Sequence, residues 1–162
     1  YDIQGLSFNV GDILAGIYQN PTAAILIYSQ EVQYNPWFSP AYFTLGKLQK
    51  ENGLNRQAIN NIESGLIFEP ANPEAHLMLA QLYVSEQNWE FAKREYVKFI
   101  DLAPYNQEAY LELGRIYEKQ EIWKQALKNY QAYLSFPGNS AETTKSTITE
   151  KVQKLKERLI KD

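Results

Sequence analysis

The sequence predicts an all-α protein in which pairs of helices are stacked in an array. Small residues recur with a period of 34 in two series, which are Gly46, Ala80 and Gly114, and Ala58, Ala92 and Ala126. Leucines and prolines keep the same step, as Leu45, Leu79 and Leu113 and as Pro70 and Pro104. A fixed period of this length is typical of helical repeats that bury their apolar faces against their neighbours.

Each unit of the array is predicted to contain two helices joined by a short turn. Tyr42, Leu45 and Leu48 follow the three-and-four spacing that places apolar side chains on one helical face. Small residues at matching places let two helix backbones approach closely, where a larger side chain would cost about 1–3 kcal/mol. The predicted first helices are 39–51, 73–85 and 107–119, and the predicted second helices are 55–68, 89–102 and 123–135.

The two ends of the chain are predicted to hold a degenerate unit and a cap. Ala24 lies one full period before Ala58, so 21–33 is predicted as the second helix of an incomplete repeat whose first helix covers 11–18. Residues 141–160 form an amphipathic pattern that would cover the open apolar end of the array. Its apolar stripe consists of Ile148, Val152, Leu155 and Leu159. A helix lying on a membrane surface is the alternative interpretation.

Length and composition predict one folded domain. The chain has 162 residues, of which 44% are hydrophobic, and its formal net charge is −3. This charge argues against a nucleic-acid partner, which requires a clustered basic face. The absence of cysteine excludes disulfides and thiolate metal sites. No apolar run is long enough to insert into a membrane, and we expect the chain, which begins at Tyr1, to be part of a longer protein.

Few side chains are suited to catalysis or metal binding. His76 is the only histidine and takes the place that Tyr42 and Tyr110 fill in the neighbouring units, so we interpret it as a packed aromatic residue. Glu108 and Glu112 share a helical face, but nothing around them in the sequence would hold one protonated and the other ionised, as acid–base catalysis requires. We therefore predict no enzyme, no metal site and no cofactor.

The repeated residues resemble the tetratricopeptide repeat, in which a helix with W-x2-L-G-x2-Y precedes a helix with A-x3-F and a proline. The third unit ends differently, because Pro137 comes one position earlier than a full period after Pro104. The resemblance implies a right-handed superhelical α-solenoid, and it divides the single domain 1–162 into 1–38, the repeats 39–72, 73–106 and 107–138, and a capping helix at 140–161. The matching residues are Tyr42, Leu45, Gly46, Gln49, Ala58, Ile62 and Pro70; His76, Leu79, Ala80, Tyr83, Ala92, Tyr96 and Pro104; and Tyr110, Leu113, Gly114, Tyr117, Ala126 and Tyr130.

The same resemblance implies a concave groove, lined by the first helices, that holds a peptide or protein segment. The implied groove residues are Phe43, Lys47, Lys50, Glu74, Leu77, Met78, Gln81, Val84, Glu108, Leu111, Glu112, Arg115 and Lys119. Members of the family that bind the C-terminal carboxylate of chaperone tails need cations at the positions of Glu108 and Glu112. The sequence therefore disfavours a chaperone tail as the partner. We expect a segment that is apolar in its centre and basic where it meets these two glutamates.

The sequence therefore predicts a non-catalytic protein–protein interaction module, a scaffold or adaptor that helps to assemble or localise a multiprotein complex. The alternative is a substrate-docking or regulatory arm of a longer enzyme or receptor. The convex face and the turn at Trp37 and Phe38 are competing surfaces, and self-association through residues 1–8 is a further alternative. The pattern of the repeats suggests a bacterial source.

Overall fold

The computed structural model describes residues 20–137 and 142–161, and these ranges contain α-helices and no strand. The helices of the three regular repeats have the bounds that the sequence predicts. The helix predicted at 21–33 extends to Tyr34, and the capping helix predicted at 141–160 begins one residue later and ends at Lys161. The helix predicted at 11–18 lies outside the described residues. The helices are α1 (Pro21–Tyr34), α2 (Ser39–Glu51), α3 (Asn55–Phe68), α4 (Pro73–Ser85), α5 (Trp89–Leu102), α6 (Gln107–Lys119), α7 (Trp123–Ser135) and α8 (Glu142–Lys161).

The chain forms two compact units that divide between Glu86 and Gln87. In the first unit α2 and α3 pair as a helical hairpin, α1 packs on α2, and α4 packs on α3 and α2. In the second unit α6 and α7 form the hairpin, α5 packs on α6, and α8 packs on α7. The single domain over 1–162 stays a prediction.

Asparagine side chains cap three helices at their N-termini. Asn20, Asn72 and Asn106 each accept a hydrogen bond from the backbone N–H three residues later, at 3.0, 2.9 and 3.0 Å. Such a cap satisfies one of the N–H groups that have no partner within the helix. Proline follows Asn20 and Asn72 directly, where its missing N–H is not needed. These residues fix where α1, α4 and α6 begin.

Three short turns, between α2 and α3, between α4 and α5 and between α6 and α7, each contain a residue in the left-handed conformation. Gly53, Gln87 and Glu121, which hold the same place in successive repeats, have φ angles of +73°, +57° and +58°. After Gly53, the Leu54 N–H donates to the Gln49 carbonyl at 2.8 Å, which closes the end of α2. The left-handed conformation favours glycine, and only the first of the three turns has one.

The small residues of the repeat stand where two helices meet most closely. A Cβ added at Gly46 would overlap the Ile62 side chain, and a Cβ at Gly114 would lie 2.6 Å from the Tyr130 ring. The predicted close approach is therefore confirmed for both hairpins. A third such contact was not predicted, because a Cβ at Gly65 would lie 2.5 Å from the Phe43 ring.

The helix α8 closes the apolar side of the second unit. Its side chains Ile148, Val152 and Leu155 are buried, and Leu159 is half-buried. Ile148, Val152 and Leu155 belong to a core cluster that α6 and α7 complete with Leu111, Ala126, Tyr130 and Tyr133. The predicted capping role of this helix is confirmed, since its apolar stripe packs against the last hairpin and its remaining faces carry charged residues.

The degenerate unit packs in the same way at the other end of the described chain. Ala24 and Tyr28 of α1 are fully buried and share a core cluster with Ala41, Leu45 and Leu48 of α2. The register predicted from the match between Ala24 and Ala58 therefore places the correct side chains in the core.

Replacing Gly114 by alanine is expected to lower the free energy of unfolding by about 1–3 kcal/mol, because the new methyl group overlaps the Tyr130 ring. Helix propensity alone would instead raise the free energy of unfolding, since alanine is favoured over glycine within a helix by about 1 kcal/mol. A loss of stability would therefore point to the overlap with the Tyr130 ring. Denaturant unfolding measures the change. The loss should shrink in a Tyr130→Leu background, and an equal loss in both backgrounds would contradict the packing explanation.

Replacing Ile148 by alanine is expected to cost about 2–4 kcal/mol, because this side chain is 2% exposed in the core beneath α8. Ile160 on the same helix is 84% exposed and provides the matched control. Its replacement by alanine should change the free energy of unfolding by less than about 0.5 kcal/mol. Similar losses at the two positions would show that α8 does not cap the core through its predicted stripe.

Candidate functional site

The predicted groove residues of the first unit lie on α2 and α4. The two helices are joined there by a hydrogen bond from Lys50 Nζ to Gln81 Oε1. Burial lowers the pKa of Lys50, an effect that nearby Glu51 partly offsets. Three of the predicted residues are exposed, namely Lys47, Glu74 and Gln81, and five are half-buried, namely Phe43, Lys50, Leu77, Met78 and Val84.

Two aromatic side chains of α2 pack against α3. The ring of Phe43 lies over the backbone of Gly65, so part of this predicted groove residue is covered by its own hairpin. Tyr42 stacks on Phe68, with 6.3 Å between the ring centres. The apolar surface that α2 and α4 present therefore comes mainly from the half-buried side chains of α4, which are Leu77, Met78 and Val84.

The predicted groove residues of the second unit lie on α6, and they differ in accessibility. Glu108 is exposed near the start of the helix, whereas the half-buried Glu112 forms an ion pair with Arg115. The Lys119 Nζ lies 4.1 Å from the centre of the Trp89 ring, a cation–π contact with α5. Burial, followed by the charges of Glu112 and Glu108, raises the pKa of Tyr96 on α5 and keeps its phenol neutral.

Leu111 does not line an open groove, which corrects the sequence prediction. This side chain is 2% exposed and belongs to the core cluster that α8 completes. The prediction followed the repeat register, in which this position faces outward on a first helix. The prediction is wrong for Leu111 because this residue lies in the last repeat, where the capping helix α8 covers it.

Glu118 connects three helices of the second unit. Its Oε2 accepts hydrogen bonds from the Tyr130 hydroxyl of α7, at 2.6 Å, and from Lys151 Nζ of α8. Burial opposes the charge of this carboxylate, but the two hydrogen bonds prevail and hold the pKa of Glu118 below its ordinary value. Burial and the bond to Glu118 raise the pKa of Tyr130. The carboxylate therefore stays ionised and neutralises Lys151.

A cleft of about 580 Å³ lies beside this carboxylate, where α8 passes the beginning of α7. We call it the cap cleft, and its lining residues are Glu118, Trp123, Lys151, Lys154, Leu155, Glu157 and Arg158. The Arg158 guanidinium lies 4.0 Å from the centre of the Trp123 ring. The repeat pattern does not indicate this cleft, because most of its residues come from α8, although Trp123 lies one period after Trp89.

His76 and Tyr110 fill matching places and make matching contacts. The Nε2 of His76, a residue only 4% exposed, lies 3.0 Å from the Pro70 carbonyl. The Tyr110 hydroxyl donates to the Pro104 carbonyl at 3.2 Å, which is the same contact in the next repeat. The interpretation of His76 as a packed aromatic residue is confirmed.

The described part of the chain shows neither a metal-binding group of side chains nor a membrane-spanning helix. In residues 20–137 and 142–161, no three His, Cys, Asp or Glu side chains are grouped so that they could hold a metal ion. None of the helices in that part of the chain has the length and apolar character needed to span a membrane.

Solved structures with the same arrangement of helices are numerous. A crystal structure of MamA has 18% sequence identity and a TM-score of 0.77, covering 99% of this chain and 95% of that one. MamA from Desulfovibrio magneticus RS-1, from residue 41 to its end, has 14% identity and a TM-score of 0.79, covering 98% and 97%. No family model and no curated protein matches the sequence.

A third structure identifies the architecture. YrrB, described as a TPR protein with an unusual peptide-binding site, has 17% identity and a TM-score of 0.72 over 78% of this chain and 65% of its own. The chain has the tetratricopeptide-repeat (TPR) fold. The resemblance and the all-α repeat class predicted from the sequence are therefore confirmed. In this TPR fold α2, α4 and α6 are the first helices of the repeats, and α3, α5 and α7 are the second helices.

The TPR fold of the second unit should lose stability in acid through Glu118. A lowered pKa in the folded state means that its contribution is complete above the ordinary value of 4.5 and is lost as the pH falls through the folded-state value. The melting temperature of a Glu118→Gln variant should therefore lie below that of the wild type at neutral pH, and the difference should narrow at about pH 3. Glu150→Gln, an exposed change on α8, is the control and should leave the pH profile unchanged. If the difference in melting temperature between the wild type and Glu118→Gln were the same at both pH values, the ionised Glu118 carboxylate would not stabilise the fold.

Proposed function

We propose that this chain is a non-catalytic interaction module that binds a peptide or protein segment on the first-helix face of its units. It would act as a scaffold or adaptor that helps to assemble or localise a multiprotein complex. The observation that carries the proposal is the surface of α2 and α4, where half-buried apolar side chains lie among exposed polar and charged ones.

The apolar part of this surface favours a partner with apolar side chains. Leu77 and Val84 are seven residues apart and fall on the same helical face, and Met78 lies beside Leu77. Each apolar Å² that a partner removes from water contributes about 25 cal/mol to binding. A short segment with two or three apolar anchors would therefore bind favourably on α4.

The charged part favours a defined orientation of that partner. Lys47 is exposed on α2, so an acidic group of the partner would be attracted to that side of the apolar strip. On the second unit, the exposed Glu108 would attract a basic group, whereas Glu112 is already paired with Arg115. Charges at the rim of an interface mainly set its specificity and its rate of association.

The similarity to YrrB supports the class of partner. That protein is described as having an unusual peptide-binding site, and the TPR fold is common to both chains. The similarity supports a peptide or protein segment as the partner, and the positions of the contacts come from the side chains of this chain alone.

A peptide-display selection tests the proposal. The full chain is used to enrich binders from a random twelve-residue library, and the affinities of enriched peptides are measured by calorimetry for the wild type and for a Lys47→Glu, Leu77→Lys variant. We expect the affinity to fall at least about tenfold, since an apolar anchor loses its contact and a charge is reversed.

A matched variant makes the result specific. Arg56→Glu reverses an exposed charge on the second helix α3 and should leave binding unchanged, with circular dichroism confirming that all variants are folded. The proposal would be refuted if no peptide were enriched, or if none of the enriched peptides bound the Lys47→Glu, Leu77→Lys variant more weakly than the wild type.

A further inference from the structure

We propose that the cap cleft is a second recognition site, which takes an extended acidic segment of a protein partner. The inference rests on the proposed function, since it assigns a partner chemistry to an interaction module. It concerns a different surface from the face of α2 and α4. Four features carry it, namely the charges in the cleft, the position of Arg158, the spacing of two cations and the volume of the cleft.

The charges that line the cleft leave positive charge available. Two of the five charged residues are carboxylates. Glu118 is bonded to Tyr130 and Lys151, whereas Glu157 accepts a hydrogen bond at 2.8 Å from the amide of Gln153, which does not offset its charge, so three cations face two anions in the cleft. The cations are Lys151, Lys154 and Arg158. Within residues 20–137 and 142–161, neither Lys154 nor Arg158 forms an ion pair with a carboxylate, so these two cations can receive an anionic partner.

The position of the Arg158 side chain is suited to binding a carboxylate. Its guanidinium carbon lies over the Trp123 ring, 4.0 Å from the ring centre, and arginine groups this close to an aromatic face commonly stack flat on it. The N–H donors lie in the plane of the guanidinium and are left free to form two parallel hydrogen bonds. Because stacking already restricts the side chain, binding would cost less conformational entropy than it costs for a freely rotating arginine.

The spacing of the cations matches an extended chain. Lys154 and Arg158 are four residues apart on α8, which separates them by about 6 Å along the helix axis. Alternate side chains of an extended segment lie on the same side and are about 6.6 Å apart. Two acidic residues separated by one residue would therefore meet Lys154 and Arg158 in turn.

The size and floor of the cleft accommodate such a segment. Its volume of about 580 Å³ is sufficient for several side chains, and the buried Leu155 lies between the two cations in the sequence. A second cavity of about 260 Å³ also has Lys151 in its lining, together with Arg115 and with Thr143, Thr144 and Thr147 of α8. The path from Thr143 to Arg158 is about 22 Å long, which an extended segment of about seven residues would span.

Fluorescence polarisation with defined peptides tests this inference. The probe is a fluorescein-labelled ten-residue peptide with a central Glu-Val-Glu-Val-Glu sequence, and the reference is the same peptide with glutamine for each glutamate. We expect the full chain to bind the glutamate peptide at least tenfold more tightly than the glutamine peptide. Lys154→Gln combined with Arg158→Gln should weaken binding of the glutamate peptide at least tenfold.

Two further variants separate recognition from general attraction between charges. Lys128→Gln combined with Lys156→Gln removes the same charge from exposed positions outside the cleft and should change the affinity less than twofold. Arg158→Lys keeps the charge, loses the planar group, and should weaken binding severalfold. In a ¹⁵N–¹H spectrum, the indole N–H signal of Trp123, assigned with a Trp123→Phe variant, should shift on addition of the glutamate peptide only.

Several outcomes would overturn the inference. They are failure of the wild type to bind the glutamate peptide at millimolar concentration, equal binding of the two peptides, an equal loss in the cleft and control variants, and tighter binding of a ten-nucleotide single-stranded DNA. The test is independent of the one for the first-helix face. Peptides enriched there depend on Lys47 and Leu77, so either proposal can fail while the other stands.

Discussion

The close contact between the two helices of each hairpin is the constraint on which the rest of this structure depends. In the hairpin of α6 and α7, the Tyr130 ring lies where a side chain at Gly114 would begin, and Ile62 makes the same contact over Gly46 in the hairpin of α2 and α3. Interiors are packed densely enough that one added methyl group is felt. The short distance between helices also brings the Tyr130 hydroxyl to Glu118, and through it to Lys151 of α8. One packing contact therefore determines both the shape of the hairpin and the position of the charges around the cap cleft.

The sequence predicted the helices well because their determinants are local and repeated. The repeat period aligns Asn72 with Asn106 and Pro70 with Pro104, and each of these residues acts on the backbone within a few positions. The left-handed turns were less visible. Gly53 is the residue that such a backbone favours, but Gln87 and Glu121 adopt the same conformation with ordinary side chains. Neither residue type is typical of a left-handed turn, so a pattern based on composition does not detect these two turns.

The functional surfaces were harder to predict because they depend on what the end of the array covers. Repeat register placed Leu111 on a groove, yet α8 buries it. The same register says nothing about Arg158 over Trp123, since that contact joins the capping helix to the last hairpin. Glu118 illustrates a further difficulty. It follows Tyr117, a residue that the repeat pattern marks, but its importance comes from partners 12 and 33 positions away in sequence.

Different residues of this chain determine the structure of each hairpin and the position at which the series of hairpins is capped. Repeat residues such as Gly114 and Ala126 specify how one hairpin is built, and they would do so equally in a longer array. The residues Ile148, Val152 and Leu155 specify instead where the series stops, because their stripe occupies the surface that another hairpin would require. The number of repeats and the structure of each repeat are thus encoded by different side chains. A gene of this kind can gain or lose a whole repeat before α8 and still encode a chain whose last hairpin is covered.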